Sequence, residues 1–254
     1  MNKIIKILLI IILLAIIASL IAVMVFFMKN DFKFWNMKLA DSYEVEASLI
    51  DQIHLTLDSA DVEIKESNTD KILVEYYSNS DSKVKIENKD KSILIDETKN
   101  KERVYFGFNN KKVVIYVPVI YVGEYEIKTQ SGDIRAEVDL SNNKVTISSS
   151  SGDVSLNATG DIDVSTSSGD IKVNKINEKA DISSSSGDIS IDKLDIKENS
   201  KITTSSGDVS VHNNQGDCYV ETETSSGDTR INKSDRKSDI VLKIKTSSGD
   251  IQVD

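Results

Sequence analysis

The chain has few of the residues that build disulfides, metal sites or catalytic centres. Its 254 residues include one cysteine, Cys218, which excludes an internal disulfide. Cys218 lies four residues before Thr222, an even spacing that favours a buried position over a reactive thiol. The two histidines, His54 and His212, are far apart and neither has a metal-ligand spacing around it. No phosphate-binding loop, nucleophile elbow or HExxH pattern occurs, so the sequence predicts no enzyme, no cofactor and no metal centre.

Basic and aromatic residues are also scarce. The chain has 31 Lys and Arg against 41 Asp and Glu, a formal net charge of −10, and only 6% aromatic residues. A surface of this charge does not bind nucleic acid by neutralising phosphates. The only arginines are Arg103, Arg135, Arg230 and Arg236, and the four do not lie in one column of the repeat described below. This argues against a polysaccharide lyase, which needs a basic residue beside clustered carboxylates.

Residues 7–28 form the one long hydrophobic run, and no charged residue interrupts it. A run of this length suffices for a membrane-spanning helix, and Lys3 and Lys6 before it favour a cytoplasmic N-terminus and an extracytoplasmic C-terminal domain. A cleaved signal peptide is the alternative, although no clear cleavage site precedes Lys29. We therefore predict a single-pass cell-membrane protein with an anchor at 1–28 and a membrane-proximal stalk at 29–44.

The second half of the chain repeats one short pattern, in which a Ser/Thr-rich run is followed by Ser-Gly-Asp or a close variant and an apolar residue. The glycines of the repeat are Gly132, Gly152, Gly169, Gly187, Gly207, Gly227 and Gly249. A period of about 20 residues is typical of a solenoid, in which each coil buries its apolar face against its neighbours. We therefore predict an all-β protein with a parallel β-solenoid, similar to a β-helix, over residues 127–254.

Six of the seven repeats carry two apolar residues seven positions apart on either side of Gly-Asp, as in Ile127 and Ile134. The sixth repeat keeps the spacing but has Thr222 and Thr229. Inward side chains of a strand are an even number apart, so the odd spacing predicts a corner at Gly-Asp, where glycine can adopt unusual backbone angles. A Ser or Thr two residues after the first apolar position should point inward near each corner. A degenerate copy, with Ala60 in place of glycine, predicts the first coil between Leu55 and Val62.

One aspartate follows each glycine, and this column is the clearest candidate site. Its members are Asp133, Asp153, Asp170, Asp188, Asp208, Asp228 and Asp250. Stacked carboxylates repel one another unless each accepts backbone N–H bonds at its own corner or neighbours share Ca²⁺. The first alternative is favoured, since the chain lacks the nine-residue repeat of calcium-binding β-rolls.

Residues 45–126 read as a β-rich N-terminal part, with strands at 72–77, 84–87, 92–96, 104–108 and 113–117. Most aromatic residues lie here, which favours a wider, better-packed start of the solenoid over an exposed ligand-binding surface. At the other end, Ile251 to Asp254 directly follow the last corner. If these residues form the outermost coil, its open strand edge allows end-to-end self-association.

The tandem Ser-Gly-Asp coils, the strand ending at Val117-Pro118 and the predicted anchor together resemble the bacterial putative adhesin family, which includes LiaG-type proteins of envelope-stress operons. The resemblance covers residues 45–254 and implies a β-solenoid ectodomain at the cell envelope, without catalytic residues. The predicted function is a non-catalytic surface protein that presents a rigid solenoid for adhesion, binding of an envelope protein or glycan, or envelope-stress response. The alternative is an extracytoplasmic β-helix that binds or cleaves glycans.

Overall fold

The computed structural model describes residues 37–79, 83–97, 110–215 and 217–254, and these residues form one compact unit. Apart from a short 3-10 helix at Ala47–Leu49, the regular elements are strands. The strands are β1 (Lys38–Glu46), β2 (Gln52–Thr56), β3 (Asp61–Ser67), β4 (Lys71–Ser78), β5 (Val84–Lys89), β6 (Ser92–Glu97), β7 (Lys111–Pro118), β8 (Glu124–Thr129), β9 (Ile134–Ser149), β10 (Val154–Thr166), β11 (Ile171–Ser184), β12 (Ile189–Ile191), β13 (Ser200–Thr204), β14 (Val209–Val211), β15 (Tyr219–Glu223), β16 (Thr229–Ile231), β17 (Val241–Lys245) and β18 (Ile251–Val253).

The repeats wind as a parallel β-solenoid, which confirms the all-β solenoid part of the predicted fold class. Each coil has one strand before the Gly-Asp corner and one after it, and equivalent positions of neighbouring coils pair in parallel. Val154, for example, pairs with Ile134 on one side and with Ile171 on the other. The long strands β9, β10 and β11 bend at the edge opposite the corners, so each of them continues from one coil into the next.

A single aliphatic core fills the solenoid. The two predicted inward columns are buried in six of the seven repeats, from Ile127 and Ile134 to Ile244 and Ile251. Cys218 is buried too, and this burial raises the pKa of its thiol. The degenerate copy also forms a coil, in which Leu55 pairs with Ile127 and Val62 pairs with Ile134.

The coils do not stack in the order of the chain at either end. At the C-terminal end, β17 lies between β13 and β15, and β18 lies between β14 and β16. The coil with corner Gly249 is therefore internal, and the coil with corner Gly227 is outermost. The expectation that Ile251 to Asp254 provide an open strand edge is wrong, because β18 is paired on both sides.

The N-terminal end shows a similar exchange. Strand β2 lies between β6 and β8, and β3 lies between β7 and β9, so the coil of β6 and β7 is placed outside the coil that precedes it in the chain. Antiparallel strands cover this end, with β5 on β6, β4 on β7, and β1 on β4. From Lys38 onward, the segment expected to be a stalk at 29–44 is thus part of the sheet.

Most of the aromatic residues that the structure describes at 45–126 pack into the core. Tyr76, Tyr121 and Tyr125 are buried, whereas Tyr77 and Tyr116 are only partly buried. The strand predicted at 104–108 and the anchor predicted at 7–28 lie outside the described residues. None of the helical segments in the described part of the chain has the length and hydropathy needed to cross a bilayer.

Candidate functional site: the Ser-Gly-Asp edge

Close stacking of the coils explains the glycine at each corner. A β-carbon added to Gly152 would lie 1.9 Å from the carbonyl oxygen of Gly132, and at the other six corners the corresponding distance is 2.0–2.2 Å. None of the described glycines has a positive φ angle. The expected reason for glycine, an unusual backbone angle, is therefore wrong: the position excludes a side chain because the next corner's carbonyl oxygen occupies that space.

The aspartates form a continuous hydrogen-bonded ladder along the same edge. Asp153 Oδ1 accepts a hydrogen bond from the backbone N–H of Asp170 at 2.9 Å, and the other neighbouring pairs, from Asp61 to Asp228, repeat this contact at 2.8–3.0 Å. The N–H therefore belongs to the neighbouring coil, whereas we had expected each carboxylate to bond its own corner. Because an N–H donor screens every carboxylate of the ladder except that of Asp228 on the outermost coil, the exposed column of negative charge is compatible with close stacking.

Six of the seven inward hydroxyl groups bond the backbone of a corner glycine, whereas Thr166 Oγ1 has no hydrogen-bond partner within the described part of the chain. Thr204 Oγ1 donates to the carbonyl oxygen of Gly187 at 3.1 Å, and Thr246 Oγ1 donates to that of Gly207 at 3.1 Å. Nearer the N-terminal end, Ser149 Oγ instead accepts the N–H of Gly152 at 2.9 Å. These contacts satisfy backbone groups that the sheet leaves unpaired at the bend, so the edge is ordered on both its inner and outer sides.

A buried ion pair braces the corner at Ala60. The Glu97 carboxylate accepts the N–H groups of Asp58 and Ser59 at 2.7 and 3.0 Å and is paired with Lys111. Burial raises the pKa of Glu97, but the Lys111 ammonium and the two N–H donors outweigh it, so the net pKa lies below its usual value. The sequence contained no pattern that joins Glu97 to Lys111, because the two residues are 14 positions apart on different strands.

Among the described residues, no group of three or more His, Cys, Asp or Glu side chains is arranged to hold a metal ion. The carboxylates of the ladder project along the edge as separate, exposed groups, and all except Asp228 are bonded through Oδ1 to the neighbouring coil. The edge therefore offers a periodic row of acceptors rather than a cage of converging ligands.

A second row of polar groups lies on the outer face of the sheet and was not predicted. His54 Nδ1 lies 2.9 Å from Glu126 Oε2, and His54 Nε2 lies 3.2 Å from Thr56 Oγ1. Thr56, His54 and Glu126 have the residue types of a nucleophile, a general base and an orienting carboxylate. Catalysis of this kind also needs hydrogen-bond donors that stabilise an oxyanion. Strand β2 is paired with β6 and with β8, so its backbone N–H groups are used within the sheet.

The outermost coil leaves a groove at the C-terminal end of the stack. The groove has a volume of about 760 Å³ and is lined by residues that include Tyr219, Glu221, Glu223, Ile231 and Arg236. A hydrogen bond and the charge of Lys245 lower the pKa of Glu223. The groove exists because no further coil among the described residues pairs with the outer strand edges of this coil.

Comparison with known families identifies this architecture. A profile described as Toastrack DUF4097 matches residues 50–254. The chain belongs to the Toastrack family. The matched segment begins just before β2 and includes all the coils that the structure describes. No curated protein sequence matches the chain.

A solved structure of low sequence identity shares the fold. A putative adhesin from Bacteroides fragilis is 15% identical, with 85% of this chain and 97% of that chain covered and a TM-score of 0.55. A putative adhesin from Parabacteroides distasonis is 19% identical, with 85% and 97% covered and a TM-score of 0.49. At 15% identity, the Bacteroides fragilis structure supports the fold alone.

Proposed function

We propose that this Toastrack protein is a non-catalytic surface protein of the cell envelope, in which an N-terminal helix at 7–28 anchors an extracytoplasmic solenoid. The uncharged hydrophobic run and the two lysines before it support this location. The protein acts by binding a partner, either an envelope protein or a glycan, in adhesion or in a LiaG-type stress response. The putative adhesins with the same fold agree with this role.

The Ser-Gly-Asp edge is the observation that carries the proposal. Exposed hydroxyls and carboxylates, such as Ser185, Ser186 and Asp188, recur at each successive corner. Stacked strands lie about 4.8 Å apart, so an extended partner meets the same groups at a regular interval. The hydrogen bonds along the ladder hold these groups in place before binding, which reduces the entropy lost on association.

Cysteine labelling tests the location. A Ser186→Cys substitution in a Cys218→Ser background places one thiol on the exposed edge, and a membrane-impermeant maleimide should label it in intact cells. Labelling that occurs only after the cells are permeabilised would place the solenoid in the cytoplasm and refute the proposal. The Cys218→Ser chain without the new thiol is the matched control.

Binding to purified envelope components tests the edge. Substituting Ser185 and Ser186 by Ala in the full chain should weaken binding to envelope polysaccharide or protein. Thr146→Ala, which removes a half-buried hydroxyl away from the edge, should not. Equal binding by all three proteins would show that the edge is not the binding surface.

A glycan-binding or glycan-cleaving protein is the second candidate, favoured by the groove of the outermost coil. Tyr219 offers an aromatic ring and Glu221 and Glu223 offer carboxylates on the same groove. Tyr219→Ala should then reduce polysaccharide binding. The cleaving version further requires released oligosaccharide, and Glu223→Gln should abolish that release.

A further inference from the structure

The outermost coil, formed by β15 and β16, has an outer edge with which no described strand pairs. The N–H of Tyr219 and the C=O of Glu223 bond the neighbouring coil on the inner side, so the intervening Thr222 directs its backbone groups outward. Thr229 and Ile231 of β16 alternate in the same way. The outward N–H and C=O groups of these three residues have no partner within the described part of the chain.

The corner of this coil also has open acceptors. Asp250 Oδ1 accepts the N–H of Asp228 at 2.8 Å, whereas Asp228 Oδ1 has no donor among the described residues. The carbonyl oxygen of Gly249 accepts Thr224 Oγ1 at 3.2 Å, whereas that of Gly227 accepts no described group. The corner therefore presents the two acceptors that each internal coil uses to hold the coil above it.

Close stacking restricts what can dock on this corner. At each of the seven Gly-Asp corners, a β-carbon on the glycine would lie 1.9–2.2 Å from the corner carbonyl oxygen of the adjacent coil. A segment that stacks on Gly227 at the same distance therefore needs glycine at its own corner. A Ser or Thr three residues before that glycine would donate to the Gly227 carbonyl oxygen, as Thr224 does to Gly249.

The outward side chains of β15 favour a positively charged neighbour. Glu221 and Glu223 are exposed, and on the inner side they lie opposite Lys243 and Lys245 of β17. Lys245 pairs with Glu223 at 2.9 Å. A strand added in the same register on the outer side would place its own side chains opposite the same two carboxylates, so basic residues there stabilise the pairing.

The loop after β16 sets where such a strand can begin. Ser234 Oγ accepts the N–H of Val220 at 2.9 Å, and the N–H of Asp235 donates to the C=O of Cys218 at 2.9 Å. The loop therefore covers the outer edge at the start of β15. The edge is open from the C=O of Val220, through the corner, to Ile231.

We infer that this outer edge is a docking site for a strand–corner–strand segment of a partner protein. The segment has glycine at its corner, a Ser or Thr three residues earlier and a lysine opposite Glu221. The unpaired backbone groups favour a strand over a glycan, because a strand pairs with them in turn. A second folded copy of this chain cannot supply the segment, because the glycine side of each of its Gly-Asp corners is already stacked.

Binding of a synthetic peptide to the purified full chain tests the inference. The peptide has the sequence of Val241–Val253, which contains both lysines and a Ser-Gly-Asp corner, and it carries a fluorophore. We expect saturable binding by fluorescence anisotropy, and no binding by the Gly249→Ala peptide or by a scrambled peptide of the same composition. The Lys243→Glu peptide should bind about threefold more weakly, and Glu221→Lys in the protein should restore its binding.

A proline at position 222 separates addition on the outer edge from exchange for β17. The N–H of Thr222 points to the open side, so Thr222→Pro should leave the thermal midpoint nearly unchanged and abolish peptide binding. Exchange uses the inner side of β15 and would survive this substitution.

Three results would overturn the inference. One is undiminished peptide binding by a folded Thr222→Pro chain, and another is equal binding of the natural and Gly249→Ala peptides. The third is the absence of peptide binding; if envelope polysaccharide then binds and Tyr219→Ala removes that binding, the outermost coil belongs to a glycan. If Thr222→Pro does not fold, the charge exchange at Glu221 decides, and failure of Glu221→Lys to restore the Lys243→Glu peptide refutes the register.

Discussion

Thr222 lies one coil outside Ile244, although it precedes Ile244 in the chain, and the two residues pair in parallel. Thr222 and Thr229 occupy the inward columns that are Ile or Val in the other repeats. Because this coil ends the stack, its inward side chains meet solvent, and Ile231 is 37% exposed. Threonine at the end therefore limits the apolar surface on an open strand edge, as natural sheets commonly require.

Restoring the apolar columns should make this end self-associate. We expect the solenoid unit, residues 37–254, to sediment as a monomer, and Thr222→Ile with Thr229→Val to associate end to end as concentration rises. Sedimentation velocity measures this. Thr146→Ile adds the same apolar group on the side of the stack and should stay monomeric. Association of the unsubstituted unit would show that threonine does not close the end.

Gly152→Ala should destabilise the solenoid by about 3 kcal/mol, because the new β-carbon would overlap the carbonyl oxygen of Gly132 and force two internal coils apart. Gly227→Ala should cost less, since the outermost coil can shift outward. Ala60→Gly should cost only about 1 kcal/mol, the usual backbone penalty. Chemical denaturation of the three variants gives the ranking, and equal costs at Gly152 and Gly227 would contradict the stacking explanation.

Position 153 should tolerate a neutral side chain that still accepts a hydrogen bond, but not a side chain without an acceptor. Asp153→Asn can keep an oxygen for the N–H of Asp170 and removes a like charge from the column, so its stability should equal or exceed that of the natural protein. Asp153→Ala leaves this N–H without its bond and should cost about 1 kcal/mol. The thermal midpoint should not change on adding millimolar Ca²⁺. A large increase with Ca²⁺ that Asp153→Asn abolishes would instead indicate metal binding.

Stability should fall in acid partly through Glu97. Its pKa is lowered in the folded state, so its contribution is fully present above the unfolded value of 4.5 and is lost as the pH falls through the folded value. Glu97→Gln should cost about 3 kcal/mol near neutral pH, because it leaves Lys111 buried without its partner. Urea midpoints across this pH range should show a smaller acid dependence for the variant. Glu223→Gln, in an exposed pair with Lys245, should leave the urea midpoint nearly unchanged.

The repeat was predictable because its signal is local. The seven-residue spacing around Gly-Asp, as in Ile127 and Ile134, follows from side-chain parity within one coil. The sequence also shows Thr222 and Thr229 where the other repeats have Ile or Val, and these threonines mark the coil that ends the stack. The sequence does not show that this coil is outermost, because the local pattern carries no information on the order in which the coils stack.

The amino-acid sequence by itself determined the coil: its length, its corner, its inward columns and the aspartate on its edge. These features depend on residues close together in the chain, where backbone geometry leaves few alternatives. The tertiary structure decided the order of the coils, the donor to each aspartate and the pairing of Glu97 with Lys111. These depend on which coils become neighbours, and every coil offers nearly the same backbone edge, so the local pattern cannot distinguish one neighbour from another.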